Sequence, residues 1–509
     1  MRKLLHFVLN RVFITAVLVL LQVAFFLLEL SKWSSYYVLI AAILRLISIA
    51  VIIYLIYRPN NPAVKLAWII PIMMFPLFGG ILYLSCGHVI ISRKLRDKIQ
   101  TADKLMRKNM PENKDIQQKL QAENPMAANQ SRYLTEYSGM TVWENTDTVY
   151  FPDGLSYWKK LLEDLETAEN FIFLEYFILE EGTMWNDILK ILEKKAKQGV
   201  EVRLIYDDFG TVLKLPKHYE QHIESKGIKC VAFNKLIPIM TVILNNRDHR
   251  KIVVIDGKVG YTGGVNLADE YINYKTVFGY WKDAGLRIEG EAVWNFTSMF
   301  LQMWNISRST DEDYAQYRYN FNKLVDSKGY VQPYGDTPLD EETVGENVYL
   351  NMLGYAQKYF YAFTPYLVTD NEMCTALKLA AKRGVDVRIV TPGIPDKKTV
   401  YWLTQSSYQN LIEAGVKIYQ FTPGFIHSKC VLCDDEVAAV GTINFDYRSF
   451  YHHFECGVFM YNTDAVLGLK EDMEETFAVS ELITLEWCKK KFMKLNVIGP
   501  ILKLFSPLF

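Results

Sequence analysis

The chain has 509 residues, half of them apolar and 22% charged, with 56 basic against 57 acidic side chains and a formal net charge of −1. That length suits two or three domains, and the neutral balance argues against a general nucleic-acid binder, which carries a strongly basic face. Seven cysteines scattered through so long a chain form no disulfide framework and read as reduced thiols on the cytoplasmic side.

The N-terminal region is apolar in long runs. Val12 to Leu28 has no charge, Tyr36 to Tyr57 is interrupted only by Arg45, and Leu66 to Ile91 carries at most a charge on His88. The last run, at about 1.5 Å per residue, reaches roughly 39 Å, more than a bilayer core needs. Arg45 costs about 2.5 to 3.5 kcal/mol at the centre of a span and needs a partner there. Several runs in succession exclude a cleaved signal peptide, so a multi-pass anchor of two or three apolar helices is expected over 1–92. The dense basic cluster Arg93, Lys94, Arg96 and Lys98 puts the rest of the chain in the cytoplasm.

A polar, proline-broken stretch over 93–135 reads as a helical or partly disordered linker. Two similar segments then extend over 136–330 and 331–509. "ILEKKAKQGVEVRLIYDD" (191–208) matches "LKLAAKRGVDVRIVTPG" (377–393), and "IESKGIKCVAFN" (223–234) matches "LIEAGVKIYQFT" (411–422). Each half reads strand, helix, strand, helix, strand, the alternation of an α/β fold.

Each half next carries the same constellation, "HRKIVVIDGKVGYTGGVN" (249–266) and "HSKCVLCDDEVAAVGTIN" (427–444). His249 and Lys251, like His427 and Lys429, are two apart on a strand and share a face. Asp256 opens a DG and Asp434 a DD dipeptide where a hairpin turns, and Asn266 and Asn444 follow their histidines at the same interval. Two imidazoles near pKa 6.5 provide a nucleophile and a general acid, while two lysines and two asparagines surround phosphodiester oxygens with donors. Neither metal nor cofactor is required. The Cys430–Cys433 pair lies on an apolar strand, its members on opposite faces, with no second CxxC to complete a zinc site. His218 and His222 have ligand spacing but lack the glutamate of HExxH.

HxKxxxxD followed by G(G/S/T)xN, twice in one chain, resembles the phospholipase D superfamily and, behind an N-terminal anchor, its bacterial cardiolipin synthases. "TPYLVTD", "AGVKIYQF", "GTINFDYRSFYHHFE" and the terminal "FSPLF" extend the likeness over the whole chain. The resemblance implies two phospholipase D-like α/β/α repeats about a pseudo-twofold, both motifs meeting in one cleft. It implies that His249 attacks phosphorus and that His427 protonates the departing glycerol. Lys251, Lys429, Asn266 and Asn444 would hold the phosphoryl oxygens, with Asp283 and Glu455 orienting the histidines. Asp256 and Asp434 are assigned chiefly to the hairpins. Tyr447, Arg448 and Ser449 are weaker candidates behind the site, and His452 and His453 read as surface or packing residues.

The implied partners are phosphatidylglycerol, cardiolipin and membrane lipids, with no nucleic acid; the oligomeric state is not readable. The apolar "LIPIMTVIL" (236–244) and the lysine-rich apolar C-terminal tail are candidate membrane contacts. "GGVNLADEY" differs from "GTINFDYRS", so the halves should bind different parts of the substrate. A hydrolase or nuclease of the same superfamily, and a catalytically silent scaffold, are the alternatives.

Overall fold

The computed structural model describes residues 23, 35–58, 61–75, 79–80, 83, 93–235, 246–308, 310, 312–340, 342–492 and 498–508. It divides into two compact units, one of residues 1–93, 236–246 and 500–509, the other of 94–235 and 247–499.

In the first unit a 23-residue helix, Ser35–Tyr57, is followed by a 13-residue helix, Pro62–Met74. Asn61 caps the second, its side chain accepting from the Ala63 amide, and Pro62 fits the first turn because that turn has no intrahelical use for its N–H. Leu55, Trp68, Ile72 and Tyr83 form a small core, with Trp68 and Tyr83 edge to face at 5.5 Å. The run from Leu66 to Ile91 is therefore not one helix. Pro71 interrupts the bonding ladder, and the helix stops at Met74 with Phe75 in a non-helical conformation. Side chains of Ser35–Tyr57 are described without a break only over 41–57, and no helix is long and apolar enough over its described residues to cross a membrane. Among the described residues the unit also contains most of a short helix, Ile498–Phe505. Val12 to Leu28, apart from Val23, and the stretch 236–244 lie outside the described residues.

The second unit begins with helices Arg93–Asn109, Lys114–Glu123 and Pro125–Tyr137. They are more than a linker: Met106, Leu120, Ala127, Ala128 and Leu134 are buried in the larger core cluster. Two sheets come next. The first comprises β1 (Thr146–Phe151), β2 (Phe171–Tyr176), β3 (Glu201–Asp207), β4 (Lys229–Phe233), β6 (Ile252–Ile255), β7 (Val259–Gly263) and β9 (Gly285–Gly290), with two short strands, β5 (Arg247–Asp248) and β8 (Tyr280–Lys282), off it. Its order is β1-β9-β7-β6-β2-β3-β4. β2 shows why its strands read as unbroken apolar runs: Phe171 and Phe173 face one core cluster, Ile172 and Leu174 the other.

The second sheet repeats the plan with β10 (Tyr330–Asp336), β11 (Tyr359–Phe363), β13 (Asp386–Pro392), β14 (Lys417–Phe421), β16 (Cys430–Cys433), β17 (Val437–Gly441), β19 (His453–Tyr461) and β20 (Ser480–Leu482). Its order, β10-β19-β17-β16-β11-β13-β14-β20, copies the first strand for strand and adds one at the edge. Three short strands, β12 (Leu367–Val368), β15 (Gly424–Ile426) and β18 (Phe445–Asp446), complete this half.

The halves exchange short strands. β5 pairs in parallel with the start of β19, His453 opposite Arg247, and β15 pairs in parallel with β8, Ile426 opposite Lys282. Each exchanged strand immediately precedes its half's HxK, so each motif is delivered against a strand of the other half.

Candidate active site

The exchange fixes the two histidines. The His249 amide donates to the Phe454 carbonyl at 2.9 Å, and the His427 amide to the Lys282 carbonyl at 2.7 Å. One residue on in each partner strand stands a buried carboxylate. His249 Nδ1 lies 2.9 Å from both oxygens of Glu455, and His427 Nδ1 lies 2.8 Å from Asp283 Oδ2. Each imidazole is thus held by the carboxylate of the opposite half, which fixes the proton on Nδ1 and leaves the Nε2 lone pair for chemistry.

Lys251 and Lys429 are buried beside them, each ammonium donating to the carbonyl of its own histidine, at 2.6 Å for Lys251. An ammonium has three donors, so two remain on each lysine. Burial lowers both lysines, Lys251 to about 8 and Lys429 to about 7. Burial also lowers both histidines, His249 well below its ordinary value and His427 to about 4, with the lysine charges adding to the effect. Lys251 depresses both Lys429 and His427, which places the two motifs within one electrostatic site. Burial alone would raise the carboxylates, but their imidazole partners hold Glu455 and Asp283 low. The resting site is therefore two neutral imidazoles on two carboxylates, flanked by two buried lysines.

Aromatic rings wall it. Phe177 meets His249 edge to face at 5.0 Å, while Tyr271 and Trp281 stand 5.5 and 5.4 Å from His427. Gly264 is explained by proximity: a Cβ there would lie 2.0 Å from Asp283 Oδ1 and 2.9 Å from the His427 carbonyl.

Other expected residues divide. Asp256 and Asp434 sit just past the far ends of β6 and β16, away from the histidines. Asp256 accepts from the amides of Glu169, Asn170 and Phe171, and Asp434 from those of Gln357, Lys358 and Tyr359. Each pins its hairpin to the strand beside it, with left-handed Asp256–Gly257 and Asp434–Asp435 forming the expected turns. Asn266 is engaged within the fold, its carboxamide accepting from the Ile178 amide and donating to the Tyr271 hydroxyl. The Asn444 carboxamide oxygen is buried without a partner. Ser449 supports the site, donating to Glu455 Oε1 at 2.7 Å, whereas Tyr447 stacks on Tyr451.

Of the two places that its sequence context suggests for His453, surface or packing, the structure excludes the surface. It is buried with its ring 5.3 Å from His249 and its Nδ1 3.6 Å from Glu455 Oε1. The only sequence signal is its place two residues before Glu455 on one strand, sharing that residue's face. His249, His453 and Glu455 are the one described group whose ligand atoms, within 4.8 Å of one another, could hold a metal ion. Both Glu455 oxygens, however, already accept from His249, from Ser449 and from Thr442. Glu455 is therefore satisfied without an ion. His218 is the left-handed cap of the helix Tyr219–Glu224, so it and His222 do not form a helical ligand pair.

Residues 161–304 and 349–477 match the family described as cardiolipin synthase, PLD-like domain, and residues 46–87 match the phospholipase D-nuclease N-terminal family. A protein of Streptococcus mutans described as uncharacterized is 44% identical over 90% of this chain and 99% of its own. A cardiolipin synthase of Geobacillus is 34% identical over 97% and 98%. The crystal structure of phosphatidylserine synthase from Haemophilus influenzae shares the fold, with a TM-score of 0.57 and 14% identity, covering 75% of this chain and all of that one. With its repeated sheets and paired histidines, the chain belongs to the cardiolipin synthase family of PLD-like proteins and is an enzyme of the phosphatidyltransferase type.

Proposed function

We propose that the chain joins two phosphatidylglycerol molecules into cardiolipin and glycerol through a phosphohistidine. The carrying observation is the reciprocal arrangement of two imidazoles, each held at Nδ1 by a carboxylate from the other half. In this reading His427 takes up a proton from solvent at Nε2 when the anionic substrate binds, His249 Nε2 attacks phosphorus, the bond to the glycerol head-group oxygen breaks, and His427 gives that oxygen its Nε2 proton. The hydroxyl of a second phosphatidylglycerol then loses its proton to His427 and attacks phosphorus, breaking the P–N bond and freeing His249. One phosphodiester is exchanged for another, so no nucleotide is consumed.

Lys251 and Lys429, with the Asn444 carboxamide, would neutralise the phosphoryl oxygens as phosphorus becomes five-coordinate. Burial, with the lysine charges added, holds His427 neutral; the arriving phosphodiester anion offsets those charges and raises its pKa when a proton donor is needed. The Glu455 carboxylate would steady the positive ring of phosphorylated His249. The aromatic walls and burial favour transfer over hydrolysis by limiting water. The two phospholipase D-like domains, 136–330 and 331–509, are related in this reading by a pseudo-twofold. The apolar N-terminal region would anchor them, multi-pass, at the cytoplasmic face of the cell membrane.

The test incubates purified protein with phosphatidylglycerol vesicles in EDTA, without nucleotide. Cardiolipin and glycerol in equal amounts, both lost in His249→Ala and His427→Ala, are expected. Phosphatidic acid as the sole lipid product would make water the acceptor and the protein a lipase.

A further inference from the structure

His453 is a third imidazole in the site without a role in the reaction as written. It opens β19 on the same face as Glu455 and is only 9% exposed. Its Nδ1 is directed at Glu455 Oε1 but, at 3.6 Å, is beyond hydrogen-bond reach and has no other partner. Among the described residues its Nε2 makes no hydrogen bond either. The Nδ1 is buried unpaired, whereas the Nε2 is not sealed from solvent and is free to bond a ligand that enters.

Its surroundings specify that partner. The charged carboxylate beside Nδ1 favours the tautomer with the proton on Nδ1, which leaves Nε2 as an acceptor. An acceptor nitrogen repels phosphoryl oxygens and takes an O–H. His249, 5.3 Å away ring to ring, marks where phosphorus is held. A glycerol head group brings two neighbouring hydroxyls: one attacks phosphorus, and the other enters the same water-poor cleft and needs a partner of its own.

We propose that His453 is a specificity residue for the acceptor alcohol, its Nε2 accepting a hydrogen bond from the non-reacting hydroxyl of the glycerol head group that takes up the phosphatidyl group. This rests on the transfer reaction proposed for the site and adds a reason for it: water has no second hydroxyl to satisfy His453, so the site favours a polyol over water. A site built to bond a hydroxyl discriminates against a ligand lacking it.

The experiment compares full-length wild type, His453→Leu and His453→Gln on phosphatidylglycerol vesicles, measuring the ratio of cardiolipin to phosphatidic acid. That ratio is internal to each preparation, so partial loss of folded enzyme does not move it. His453→Leu is expected to lower the ratio by about tenfold, and His453→Gln, which restores an acceptor oxygen, to recover part of it. An unchanged ratio in both variants, whatever their total rate, overturns the proposal and leaves His453 as packing for Glu455. A wild type that makes only phosphatidic acid would overturn the transfer reaction itself, a result distinct from an unchanged ratio.

Discussion

The two halves share a strand order and a motif but support their histidines differently. Behind His249 the second residue of HxK is Arg250, buried and paired with Glu175 at 2.6 Å and Asp248 at 3.2 Å. Behind His427 the same position is Ser428, whose hydroxyl has no partner. The carboxylates differ too. Glu455 is braced by the hydroxyls of Thr442 and Ser449, whereas Asp283, one carbon shorter, takes the Ala284 amide at 2.8 Å and the Trp281 indole at 3.4 Å. This accounts for "GG" in one copy and "GT" in the other: Gly264 makes room for Asp283, and Thr442 reaches Glu455. Symmetric chemistry is built here from asymmetric support, which fits one histidine carrying a covalent bond while the other only moves protons.

The largest expected effect separates the histidines. His249→Ala and His427→Ala should each cut cardiolipin formation by at least about a thousandfold. A p-nitrophenyl phosphatidyl ester, whose leaving group needs no proton, should restore a burst of p-nitrophenolate to His427→Ala alone. Equal bursts in both variants would erase the distinction between the halves.

Next come the carboxylates. Removing the negative partner of an imidazole costs about a hundredfold to ten-thousandfold through the wrong tautomer and an unsupported ring charge. Because the pairs cross between halves, Asp283→Asn should copy the burst behaviour of His427→Ala, and Glu455→Gln that of His249→Ala. Pairing within each half would reverse these two results in pre-steady-state kinetics.

A third contrast concerns stability. Arg250→Met leaves Glu175 and Asp248 buried without their cation and should cost about 3 to 5 kcal/mol in denaturant unfolding. Ser428→Ala removes an already unpartnered hydroxyl and should change little.

The smallest effect is on acid stability. His427 falls from about 6.5 unfolded to about 4 folded, so between these values the unfolded chain binds more protons. The stability it contributes is full above about pH 6.5 and lost as pH falls toward about 4. His427→Asn should flatten that part of the stability–pH curve in thermal unfolding.

Much of this site is legible in the sequence because its elements are local. HxK on a strand, a DG or DD turn and the repeated helix–glycine–strand units each depend on residues close in sequence. The features that escape are set by distant pairing. Nothing near His249 announces that its carboxylate is Glu455, because β5 reaches it by leaving its own sheet for β19. His453 looks like a surface residue because its burial comes from that same exchange. Asn266 matches Asn444 by interval, yet its amide is used by Ile178 and Tyr271, contacts that periodicity does not encode. The apolar run after Leu66 reads as one span because hydropathy counts residues and gives Pro71 little weight.

The most direct test of the division of labour between the histidines is the position of the covalent intermediate. Asp283→Asn should be mixed with a p-nitrophenyl phosphatidyl ester radiolabelled at phosphorus for a single turnover, quenched in alkali, where phosphohistidine survives, and digested for peptide mapping. Label on His249 and none on His427 is the predicted result. Label on His427, or none on either histidine while p-nitrophenolate is released, would contradict it.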